Sequence, residues 1–151
     1  MHIVVILLFV LTIFPGISCA DEPSAIARDL IEKAKQECKG FENGSFEATE
    51  KAVTLHDITG DGIPEEFVDG AQFSCSTALT LYGGTGGTYL WIVVDGKEYE
   101  FLAHQWKVID FGGQAVILLA VHPYQCGDGI GPCYRALAWQ DGFRTIKAGN
   151  D

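Results

Sequence analysis

The stretch Asp57-Ile58-Thr59-Gly60-Asp61-Gly62-Ile63-Pro64-Glu65 puts oxygen-bearing side chains at alternate positions, with glycine in the sixth place. Hard cations such as calcium take carboxylate, hydroxyl and carbonyl oxygens, and a short loop can supply them around a glycine that allows a sharp turn. Asp57, Thr59, Asp61 and Glu65 side chains, with the Ile63 carbonyl, are therefore the candidate ligands of a calcium-type site. The twelfth place of such a loop, which would hold a bidentate acid, falls on Val68. Its absence predicts weak binding, about 10⁻⁴–10⁻³ M, and a structural role for the ion. The same residues also suit a tight Gly-Asp-Gly turn closed by aspartate side chains with no metal at all. The sequence leaves both readings open.

Other chemistry is less specific. Tyr82-Gly83-Gly84-Thr85-Gly86-Gly87-Thr88 has the glycine content of an anion-cradling loop, but no lysine and no helix follow it. It reads as a hairpin loop, and Tyr82, Gly84, Thr85, Gly86 and Tyr89 are a candidate recognition surface. His104, His122, Asp110 and Ser74 or Ser76 supply the residue types of a hydrolase triad. There is no G-x-S-x-G elbow to support it, and no catalytic residue is assigned. Trp91, Trp106 and Trp139 are expected on core or sheet faces. Asn43-Gly44-Ser45 has the form of a glycosylation acceptor.

The elements that must position these residues begin after a leader. Ile3 to Phe14 is an apolar run too short to span a bilayer, and Ser18 and Ala20 are small residues suited to a peptidase site before Asp21. Residues 1–20 are expected to be an export signal; a lipoprotein signal built on Cys19 is the rival reading. Residues 21–151 are then one domain. The leader lacks charged side chains, so the formal charge of −10 belongs to the remainder. Such a chain repels nucleic acid and anionic lipid and favours a cationic partner or a metal ion, although the same charge also serves simply to keep an exported protein in solution. Cys38, Cys75, Cys126 and Cys133 remain, an even number that in an exported chain reads as disulfides. Of three pairings, Cys38–Cys75 and Cys126–Cys133 are expected, because Gly127 to Pro132 makes the second loop easy to close. Metal ligation by these cysteines is disfavoured, since there is no CxxC.

Ala27, Leu30, Ile31, Ala34 and Cys38 follow a helical stripe, which predicts a helix over 23–38. Asp21 or Ser24 would cap it, with Pro23 in its first turn and a left-handed Gly40 ending it. Beyond it the chain reads as β. Asp95-Gly96, Gly112-Gly113 and Asp141-Gly142 each separate two strand-like runs, the signature of tight hairpins. Val116 to Val121 is apolar at both parities and predicts a central strand. Tyr99 and Phe101 alternate with Glu98, Glu100 and Leu102, which predicts a half-exposed one. The expected fold is α+β: one N-terminal helix packed on a mainly antiparallel meander of hairpins, held by two disulfides.

Val53-Thr54-Leu55-His56 and the 57–65 loop together resemble the strand–loop–strand ion sites of FG-GAP and VCBS-type repeats, with a looser likeness to EF-hand calcium loops. The loop, Cys38, Cys75 and the segment from Cys126 to Gly142 also resemble a set of small, uncharacterised bacterial periplasmic proteins. Members of that set often carry a further cysteine pair where Tyr82 and Thr88 stand here. The resemblance implies an exported, stapled fold and side-chain ligation by Asp57, Thr59, Asp61 and Glu65. It implies no particular reaction.

The expected function is that of an exported, monomeric, non-enzymatic binding protein, periplasmic or secreted, without a membrane span after signal cleavage. Its calcium would be structural. Its acidic surface would recognise or inhibit a cationic protein, for example a basic enzyme such as a lysozyme. A small periplasmic hydrolase and a structural envelope component are the alternatives.

Overall fold

The computed structural model describes residues 22–127 and 130–146; the expected leader lies outside them. A helix, α1 (Ala25–Gly40), is capped by Ser24, whose side chain accepts the Ala27 N–H. Ala27, Leu30, Ala34 and Cys38 form its buried stripe. Pro23 precedes the cap instead of entering the first turn. Gly40 is the last helical residue and is not left-handed; Glu42 and Asn43 take positive φ in its place. The reason lies one residue on. A Cβ on Gly44 would stand 2.6 Å from Cys75 Sγ and 2.8 Å from the Cys38 carbonyl. The chain must therefore reverse late enough to lay a glycine against the disulfide.

The strands are β1 (Phe46–Ala48), β2 (Val53–His56), β3 (Glu65–Asp69), β4 (Phe73–Cys75), β5 (Gly83–Gly84), β6 (Gly87–Val94), β7 (Lys97–Ala103), β8 (Gln105–Phe111), β9 (Gln114–Val121), β10 (Cys133–Trp139) and β11 (Phe143–Ile146). Every pairing among the described residues is antiparallel. The three glycine-containing turns all make hairpins, β6/β7, β8/β9 and β10/β11. Asp95 and Gly96, like Gly112 and Gly113, have positive φ at both central positions, as two-residue hairpin loops of type I′ require.

The meander is divided into two sheets. One has β2-β3-β6 in order, with β7 on the far side of β6 and β5 extending the β3 side; the other has the order β11-β10-β9-β8. The chain passes between them at His104, whose N–H bonds the Ala120 carbonyl. β1 and β4 form a separate ribbon.

Alternation along the first sheet creates two cores. Phe67, Leu90, Ile92 and Val94 face the second sheet and pack with Ile117, Leu119, Val121 and Leu137. Val68 and Trp91 face the helix and pack with Leu30, Ala34, Phe73 and Tyr82. Full burial of each large aliphatic or aromatic side chain contributes about 1.5–3 kcal/mol. Central β9 is fully covered at Val116, Ile117, Leu119 and Val121 and half-covered between them. Both expected disulfides are present, with Cα separations of 5.5 Å for Cys38–Cys75 and 5.9 Å for Cys126–Cys133.

Candidate functional site

β2 and β3 pair from Val53↔Val68 to His56↔Glu65, so the loop between them starts and ends at one point of the sheet. Ile58 anchors it: the side chain is 4% exposed and joins the core between the sheets. Gly60 and Gly62, with φ of 81° and 86°, then turn the backbone inward on itself. Those conformations are cheap for glycine and strained for other residues.

The aspartates organise the turn. Asp57 accepts the Gly60 N–H on Oδ1 at 2.7 Å and the Gly62 N–H on Oδ2 at 2.9 Å. Asp61 Oδ1 accepts the Ile63 N–H at 2.8 Å. Glu65 is only 8% exposed. Its Oε2 accepts the Ile58 N–H at 2.7 Å and its Oε1 accepts the Thr59 hydroxyl at 3.1 Å. One oxygen from each of Asp57, Asp61 and Glu65 lies within 4.8 Å of the other two. A carboxylate oxygen that accepts one hydrogen bond keeps a second lone pair, so these bonds fix the acids without exhausting them. Asp57 and Asp61 stay exposed to solvent on the open side. The two ion pairs among the described residues, Lys33–Asp29 and Lys35–Glu32, are on the helix, and neither includes a loop carboxylate. Four of the five expected ligand residues are thus tied into one turn through their side chains. Ile63 sits on its rim with an exposed side chain.

Beside the loop, His56 has its ring 4.9 Å from that of Phe67 and 5.7 Å from that of Trp106. Burial lowers its pKa below the ordinary histidine value, so the neutral form is favoured.

The glycine-rich segment is a hairpin, with Gly83↔Thr88 and Gly84↔Gly87 paired across Thr85-Gly86. Gly84 and Thr85 are exposed, Gly86 half-buried. Tyr82 is not on this surface. It is 5% exposed, and its hydroxyl donates to the Ala34 carbonyl at 2.7 Å, bracing the helix. Burial first, and then the Glu37 carboxylate, raises its pKa. Nothing local in the sequence marks Tyr82 as inward, because it precedes a strand of two glycines with no readable alternation. Tyr89 lies on the helix-side face instead, stacked on Trp91 at 5.3 Å.

Of the residues whose types suit a hydrolase triad, Asp110 and Ser74 are engaged elsewhere. Asp110, near the far end of β8 from His104, accepts the Gly113 N–H and closes the Gly112-Gly113 turn. Ser74 pairs with Glu47 in the ribbon. His104 and His122 approach to 6.4 Å between ring centroids.

Two acidic positions carry weight that the sequence did not single out. Asp69 is buried and accepts the Trp106 indole N–H at 3.1 Å and the Ala71 N–H at 2.9 Å, tying the two sheets together. Glu66, adjacent to Glu65 but on the opposite face, accepts the Ser24 N–H at the start of the helix. Glu66 differs from its acidic neighbours only through β3 register, which a single sequence does not display.

Comparison of the chain with protein-family models, with curated proteins and with solved structures finds no match.

Proposed function

We propose that the chain is an exported, non-enzymatic binding protein whose 57–65 turn holds a calcium-type cation structurally and whose acidic surface engages a cationic protein. The observation that carries the cation reading is the convergence of Asp57, Asp61 and Glu65 oxygens within 4.8 Å at one strand connection. Three carboxylates that close repel one another, and a divalent ion offsets that repulsion while adding bonds. The backbone N–H groups already hold Asp57 in place, so little ordering cost remains for the ion to meet. Two disulfides suit an oxidising compartment. No helix among the described residues is long and apolar enough to cross a membrane. The charge of −10 favours basic partners.

The test is a pair of thermal melts, one with millimolar calcium and one with chelator. At the expected dissociation constant of about 10⁻⁴–10⁻³ M, calcium at about 1 mM stands at about 1–10 times that constant and raises stability by about 0.4–1.4 kcal/mol. The Asp57→Asn/Asp61→Asn variant should lose that increment. Coincident melts of the parent protein at millimolar calcium eliminate the cation. For the partner, immobilised protein should retain basic proteins such as lysozyme or cytochrome c at low salt and release them as salt screens the charge. Retention of none of them refutes the partner reading.

A further inference from the structure

The helix covers only part of its sheet face. Between α1 and β7 it leaves a groove of about 330 Å³ lined by Lys33, Glu37, Tyr89, Trp91, Glu98 and Glu100. We propose that this groove takes the arginine side chain of a basic protein partner, a refinement that rests on the cationic-partner reading above.

Strand geometry builds the groove. β6 and β7 pair with Trp91↔Glu100 and Val93↔Glu98, and side chains alternate across a sheet. Tyr99 and Phe101 go inward to the second sheet, so Glu98 and Glu100 must stand on the helix side. There they border Tyr89 and Trp91, whose rings stack with an interplanar angle of 17°. The Trp91 indole N–H donates to Glu100 Oε2 at 3.0 Å, which sets that carboxylate beside the ring. Glu37 closes the groove from the helix. The one lining base, Lys33, has its ammonium against Asp29 at 2.9 Å and is also drawn electrostatically by Glu98, so the groove's three carboxylates still outnumber it.

The lining is therefore aromatic below and carboxylate on both walls, with an excess of negative charge. An arginine suits it on three counts. Its planar guanidinium bonds carboxylates through paired N–H groups, lies against aromatic rings, and is more weakly hydrated than an ammonium. Its aliphatic stem covers apolar surface on the way in. The concavity matters because it excludes water from part of the contact, where ring and carboxylate attract a cation more strongly than on an open surface.

The probe is a capped tripeptide, acetyl-Gly-Arg-Gly-amide, and the control replaces arginine by citrulline, a neutral isostere. The readout is the Trp91 indole N–H resonance, identified by its loss in Trp91→Phe. The arginine peptide should shift this resonance and the citrulline peptide should not. Glu98→Gln/Glu100→Gln, which alters only exposed positions, should weaken the response at least about tenfold, the scale of one charge-assisted contact. An immobile resonance, an equal response to citrulline, or undiminished binding by the double variant overturns the assignment. Retention of basic proteins is then compared between parent and double variant. Equal retention places the partner surface elsewhere and sinks the groove alone; retention by neither protein sinks the wider reading as well.

Discussion

Replacing Glu65 separates the mechanical role of its carboxylate from its charge. In Glu65→Ala the Ile58 N–H loses its acceptor at 2.7 Å, and Ile58 is 4% exposed, so water cannot easily substitute. Hydrogen bonds to charged groups are worth about 1.5–3 kcal/mol each, and stranding a buried donor costs a similar amount. The Thr59 hydroxyl, at 3.1 Å and half-buried, can turn to solvent and adds little. The expected loss for alanine is about 2–4 kcal/mol. Glu65→Gln keeps one amide oxygen for Ile58 and removes a charge from beside Asp57 and Asp61, so it should cost no more than about 1–2 kcal/mol. Urea unfolding followed by far-UV circular dichroism measures both, with a constant m-value required for comparison. Equal losses for glutamine and alanine would show that charge, not the hydrogen bond to Ile58, holds the loop. An alanine loss below about 0.5 kcal/mol would show that the Ile58 amide finds another partner, and the account of the turn would fail.

Two further perturbations follow from the same structure. Cys38–Cys75 spans 37 residues of sequence and Cys126–Cys133 spans 7. Chain entropy then assigns losses of about 4 and about 2.5 kcal/mol to the paired alanine variants in urea unfolding, and the reverse ranking would contradict it. Burial raises the Tyr82 pKa above its ordinary value, so the folded chain holds that proton more tightly than the unfolded chain. Its contribution is complete below about pH 10 and is lost as pH rises through the folded pKa. Tyr82→Phe should flatten that alkaline limb, and should also cost about 1 kcal/mol at neutral pH through the Ala34 hydrogen bond; an unchanged alkaline limb would exclude Tyr82 as its source.

Legibility in the sequence tracked the range of the interactions. The helix stripe, the glycine hairpins and the oxygen spacing of the loop are local, and each formed where its pattern lies. The two disulfides followed from loop sizes. What failed to show was decided at long range. The break between sheets is a single residue, His104, with no proline or glycine to announce it. β1 and β4 are three residues each, too short for a period, and exist because Phe46 and Phe73 pack at 5.3 Å against the helix core. Gly40 carried a terminator's signature, yet the steric demand at Gly44 moved the reversal downstream. Tyr82 read as part of a recognition surface because its partner, the Ala34 carbonyl, is 48 residues away.

The proposed cation loop and the proposed groove share a mechanical element. Glu65 and Glu66 begin β3 and point to opposite faces, one into the loop and one to the Ser24 N–H. Whatever fixes the start of β3 therefore also fixes the start of α1. Tyr82 holds the middle of the helix, and the disulfide holds its end at Cys38. With three attachments along 16 residues, the helix has little freedom to approach or leave β7. The groove width is then set before a partner arrives, and a preformed groove avoids the ordering cost that a flexible one would incur on binding. The loop's contribution to recognition would be indirect. Loosening it should weaken the hold of Glu66 on the helix and widen the groove, leaving Glu98, Glu100 and Trp91 chemically intact.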